Sequence, residues 1–250
     1  MPSKTIHLET EGMSPEIELA LRAVVAGLES RGAGVMVDGD RAGAGDDVVI
    51  CAERNPTSFR EAWRVAPEIE NGLVRLVRGE DAIELPWSVV APVASRRLPR
   101  AILAAGGSDS RRMRMMVRTA EELDRRRARC RFALWGPPPS PIAGMRGLDE
   151  IHTELSSDDL LRLLMSSCAV FDPAESPAEA TALPWMGAAV GIAVVVAAEH
   201  PFAGGLRVAE WSPESFADVL ERAVELEAPP GKPAVEPPAQ RLLEAFGIDA

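Results

Sequence analysis

The sequence predicts an α/β protein of two domains, each a parallel sheet flanked by helices, with the N-terminal domain reduced. Two observations lead there. Short apolar runs alternate with amphipathic helical segments through short connections, which is the pattern of strand–helix–strand units. The scheme runs once in the first part of the chain and again in the second, with the polar Arg- and Pro-containing link "VASRRLPR" (93–100) between.

In the first domain, "KTIHL" (4–8) reads as a short strand and "EGM" as a turn. The segment 14–32 carries the signals of a helix: Ser14 at the N-cap, Pro15 at the first helical position, Glu16 and Glu18 in the first turn, and Gly32 past the end. Its apolar residues Ile17, Leu21, Val24, Val25 and Leu28 recur at helical spacing. "GVMVDG" (34–39) and "DDVVICAE" (46–53) are two further strands. "TSFREAWRVAPEIENGLVRLV" is expected to be helical in part, and "WSVVAPVA" (87–94) to be a strand.

The second domain begins with "RAILAAGG" (100–107), a strand ending in two glycines. A helix from Ser110 buries Met113, Met116, Val117, Ala120 and Leu123, and "CRFALWG" (130–136) is a strand stopped by "PPPSP". "SSDDLLRLLMSS" (156–167) is a helix capped by Ser156 or Ser157, and "AVFDP" (169–173) is a strand. A helix is expected from about Glu179, then the strand "IAVVVAA" (192–198) and the capped helix 212–227. "APPGKPAVEPP" reads as a Pro-rich tether and "AQRLLEAFGI" as a short amphipathic end. The expected domains are 1–95 and 96–228, followed by the tail 229–250. A ligand belongs at the carboxyl ends of such strands, in a cleft between the domains.

Composition narrows the function. At 46% hydrophobic and 26% charged the chain is globular, and a net charge of −11 argues against nucleic acid, whose phosphates repel an acidic surface. Arginine greatly outnumbers lysine and tyrosine is absent, as in proteins of GC-rich bacterial genomes. Cys51, Cys130 and Cys168 lie in or beside apolar runs with no CxxC, so buried free thiols are expected. "MPSKTIHLETEG" has no apolar signal core, and the apolar stretch near 182–198 is broken by Pro184 and small residues. A cytoplasmic protein with no membrane span is expected. His7, His152 and His200 have no partner at a metal-binding interval, so neither a metal nor a cofactor is expected. No GxSxG, Walker A or GxGxxG occurs.

Three stretches carry candidate chemistry. "LAAGGSDSRR" (103–112) is a strand, a glycine turn and a helix start, which exposes backbone N–H groups to a phosphate; Arg111 and Arg112 add charge. On spacing alone an ordinary turn with solvated arginines is the simpler reading, since GG-x-S is not a nucleotide fingerprint. Nine arginines fall between Arg111 and Arg131, but Glu121, Glu122 and Asp124 interleave with them, as on a solvated helix face. In "CAVFDPAESPAEATALPWMGAAVGIAVVVA" (168–197), a helix beginning at Glu179 would aim a carboxylate and free N–H groups at a ligand. On residue types alone, a first-turn Glu complementing the helix dipole is the simpler reading. His7, at the end of the first strand, is placed to act as a base.

The order of these pieces resembles the C-terminal domain of GT-B glycosyltransferases, in particular the retaining family 4 type that uses nucleotide sugars. The pieces are "ILAAGGSDSRR", "FALWGPP", "LSSDDLLRLLMSSCAVFDP", "EATALPWMGAAVGIAVVVA" and "WSPESFADVLERAVE", in that order. "EGMSPEIELALRAVVAGLESRGAGVMV" is similar to that family's first helix and second strand. The resemblance implies two Rossmann-like domains and transfer of a sugar from a nucleotide-diphospho-sugar, UDP- or GDP-type, without a metal. Gly106, Gly107, Ser108, Arg111 and Arg112 would hold the diphosphate. Glu179, with Glu175 as fallback and the N–H groups of Ala180, Thr181 and Leu183, would hold the sugar. The family's second motif Glu has no counterpart: Met186 and Gly187 stand there, and Gly107 stands at the family's Arg position. A lost carboxylate on the ribose costs ~1.5–3 kcal/mol, so a catalytically degenerate binding or scaffolding protein is the alternative. A homodimer or a protein partner fits either reading.

Overall fold

Two six-stranded sheets carry the chain, one in each of two compact units: Met1–Val90 with Pro233–Ala250, and Ala91–Lys232. The computed structural model describes residues 5–38, 48–52, 62–66, 73–86, 98–104, 111–136, 147–225 and 239–246. The expected strand 87–94 lies outside them. Among the described residues, no helix is long and apolar enough to cross a membrane.

In the first unit, β1 (Thr5–Leu8) lies between β2 (Gly34–Val37) and β3 (Val48–Ala52), and β3 pairs with β4 (Trp63–Val65), all in parallel. Helix α1 (Pro15–Glu29) follows β1 and buries Ile17, Leu21, Val24, Val25 and Leu28, the stripe its spacing predicted. The segment 57–77, expected to be helical in part, holds strands where it is described, and its other residues lie outside the described ones. Its described parts are β4 and β5 (Leu73–Arg78), and β5 turns through Gly79–Glu80 into antiparallel β6 (Asp81–Pro86). Burial of Val74 and Leu76, two residues apart on one face, and a glycine at φ +60° in a two-residue turn are what make this a hairpin.

The second unit is parallel throughout, in the order β12-β11-β10-β7-β8-β9. Its strands are β7 (Leu98–Ala104), β8 (Arg131–Trp135), β9 (Leu148–His152), β10 (Ser167–Asp172), β11 (Ala193–Ala197) and β12 (Leu206–Val208). The chain builds β7, β8 and β9 outward in one direction, then returns to lay β10 against the other side of β7. That reversal is the switch point of a Rossmann-like sheet, where the carboxyl ends of two adjacent strands open toward a ligand.

Helices α2 (Arg111–Arg125) and α5 (Pro213–Glu225) pack on this sheet, with Met113, Met116, Leu123, Phe216 and Leu220 against Phe132, Phe171 and Val195. The rings of Phe132, Phe171 and Phe216 form a ladder with centroids 6.0 and 5.1 Å apart. α3 (Ser157–Met165) and α4 (Leu183–Ala189) pack against β10. The N-cap of α3 is Ser156, whose hydroxyl accepts from the Asp159 N–H. α6 (Ala239–Phe246) belongs to the first unit.

Candidate functional site

Asp172 ends β10 at the switch point, and its carboxylate is fully buried. An isolated buried carboxylate would be very costly, so the chain surrounds it with donors. Arg112, from the first turn of α2, donates its Nε–H to Oδ1 at 2.6 Å and is itself 1% exposed. The Ala174 N–H reaches the same oxygen at 3.2 Å. Oδ2 accepts the Thr181 N–H at 3.0 Å and its hydroxyl at 2.7 Å. His200 places Nε2 3.6 Å from Oδ2, and its Nδ1 accepts the Phe202 N–H at 3.0 Å, which puts the ring proton on Nε2. Burial pushes the Asp172 carboxyl up, but the Arg112 guanidinium and His200 outweigh it and hold the group well below the usual carboxylate range.

This carboxylate fixes a segment. By binding Ala174 and Thr181 it closes both ends of the turn that carries Glu175 and Glu179. Beside it, Arg111 lays its guanidinium over the Trp211 ring, 4.0 Å from the centroid, and its Nη1 meets Glu175 Oε2 at 2.7 Å. Trp211 donates its indole N–H to the Pro173 carbonyl at 3.0 Å. Arg111 stays 60% exposed, so of the two arginines that open α2 one is interior and the other faces solvent.

The expected site residues fall as follows. Glu175, Glu179, Ala180, Thr181, Arg111 and Arg112 come together near the carboxyl end of β10. The helix expected to start at Glu179 is corrected: it starts at Leu183, with Pro184 in its first turn. The N–H groups of Glu179 and Ala180 donate instead to the Ser176 carbonyl, at 3.2 and 3.1 Å, and that of Thr181 to Asp172. Leu183 is buried. Met186 is fully buried, and a Cβ on Gly187 would lie 2.5 Å from Val170 Cγ2, so α4 sits against β10 with no room for a carboxylate there. His7 lies one residue inside the end of β1, in the first unit, and is 6% exposed. Gly106, Gly107 and Ser108 lie outside the described residues.

Sequence reasoning passed over Asp172, His200 and Trp211. The signal for Asp172 was present in "AVFDP": a carboxylate that ends a wholly apolar strand must find a partner cation. Among the described residues, no three His, Cys, Asp or Glu side chains gather as a metal would require.

No protein-family model matches the sequence, and no curated protein matches it either. Solved structures do. The chain is similar to the E. coli heptosyltransferase WaaC with ADP, at 10% identity and TM-score 0.46, over 88% of this chain and 98% of that one. It is similar to a glycosyltransferase from Rickettsia africae at 12% identity and TM-score 0.42, over 98% and 93%. It is also similar to the α,α-trehalose 6-phosphate synthase from Burkholderia multivorans at 13% identity and TM-score 0.41, over 53% and 36%. The match therefore spans little more than a third of that synthase.

Proposed function

We propose that the chain is a glycosyltransferase-like protein whose Ala91–Lys232 unit takes a nucleotide-diphospho-sugar of the UDP or GDP type and passes the sugar to an acceptor without a metal. The observation that carries this is the closed turn 173–181, held by Asp172 at the switch point beside the start of α2. Arg111 meets the diphosphate, together with the sequence neighbours Gly106, Gly107 and Ser108. Arg112 serves as the internal support of the turn. Glu179 accepts hydrogen bonds from sugar hydroxyls. Catalysis by such a site is positioning plus stabilisation of the departing diphosphate, which a fixed guanidinium supplies.

A specific observation favours a second reading, a catalytically degenerate binding protein of the same architecture. The position that would hold the ribose carboxylate is occupied by buried Met186 and by Gly187 pressed on Val170.

Calorimetric titration with UDP, GDP, ADP and their sugar conjugates tests both. Saturable binding by one nucleotide, weakened about ten- to a hundredfold in Arg111→Ala, is the expected result. Binding without sugar transfer or donor hydrolysis selects the second reading, and silence across the panel at millimolar ligand removes the first.

A further inference from the structure

Glu175 pairs with the exposed guanidinium of Arg111, and this bears on its role. The Arg111 guanidinium is positioned by Trp211, which the Pro173 carbonyl anchors in turn, so the cation keeps its place by ring stacking. The contact with Glu175 Oε2 at 2.7 Å adds a negative charge to a guanidinium that is already located. The pair joins groups that are 60% and 30% exposed. Such a pair is weak and is exchanged readily for a better anion.

We infer that Glu175 is an internal competitor for the anion site: it pairs with the Arg111 guanidinium and must be displaced for a diphosphate to bind. This rests on the proposed function and deepens it. It also reverses the role that the sequence suggests for Glu175, from a group that holds the sugar to a group that sets the threshold for binding. A diphosphate carries more charge than a carboxylate and presents several oxygens to one fork of donors, so it wins the guanidinium once its concentration suffices. Trp211 is the positioning residue in this exchange, because it keeps the guanidinium in place while its partner changes.

The test is titration of wild type, Glu175→Gln, Glu179→Gln and Arg111→Ala with UDP and with inorganic pyrophosphate, at low and high salt, with thermal melts to establish that each variant is folded. Glu175→Gln binds both probes about two- to fivefold more tightly than wild type, a gap that narrows as salt is raised. Glu179→Gln, outside the ion pair, moves affinity less. Equal or weaker binding by Glu175→Gln, with wild type still binding and Arg111→Ala not, overturns the competitor role and leaves the proposed function standing. Equal gains in both Gln variants reduce the effect to the general field and overturn it too. Absence of binding in wild type and Glu175→Gln alike overturns the proposed function, and the inference with it.

Discussion

Asp172 shows how one side chain can commit a whole region. A fully buried carboxylate with five groups around it is stable only as the ion, because its donors are arranged for a negative charge. Asp172→Asn keeps the size but leaves Arg112 interior without its counter-charge. It is expected to lower unfolding stability at pH 7 by ~3–5 kcal/mol, as measured by urea denaturation. The pH dependence follows from the direction of the shift. The folded carboxyl titrates below the unfolded one, so its contribution is fully present above pH ~4 and is lost as pH falls toward the folded value. The gap between wild type and variant should therefore shrink in acid, and a constant gap would deny Asp172 this role. The Cys130 thiol behaves differently: burial pushes it up to about 12, so it is a core residue with no nucleophile at neutral pH.

Helices and strands differed in how plainly they could be read, for physical reasons. α1, α3 and α5 combine a periodic apolar stripe with Pro, Ser or acidic residues at the start, and those signals are local. The strands β9 and β12 went unread because each is an edge strand; β9 alternates partly buried and exposed residues, and β12 is three residues long. The strand β5 fell within a segment expected to be helical in part, because "LVRLVR" does not alternate apolar with polar residues. The start of α4 was misplaced because a long-range bond, Thr181 to Asp172, overrides the local preference of "AEATA" for helix. The site was legible to the same degree: the residue types near the glycine turn and the acidic turn were read, and the carboxylate that joins them was not. Packing of α4 against β10 gives a direct check. Gly187→Ala places a methyl within 2.5 Å of Val170 Cγ2, which must move. A loss of ~1–3 kcal/mol in denaturant unfolding is expected, and an unchanged midpoint would mean that α4 does not sit that close.

The first unit is assembled from residues far apart in the chain, since Pro233–Ala250 joins Met1–Val90. The joining element is α6, which packs on α1 and buries Leu242, Leu243 and Phe246. Phe246 stands 5.6 Å from the Trp63 ring, and the Arg78 guanidinium lies over that ring at 4.6 Å. At eight residues α6 is too short to be helical by itself in water, so its helicity depends on docking. The unit's core is therefore complete only with α6 docked, while Ala91–Lys232 holds all six strands of its own sheet. Phe246→Ala should lower the stability of the first unit by ~3–5 kcal/mol, the usual range for truncating a buried aromatic. Native-state hydrogen exchange separates the two outcomes. Faster exchange in β1, β3 and α1, with β7, β8 and β10 unchanged, places α6 in the core of one unit. Uniform acceleration across both sheets would mean that α6 supports the whole chain, and no change would mean that the helix is a passive appendage.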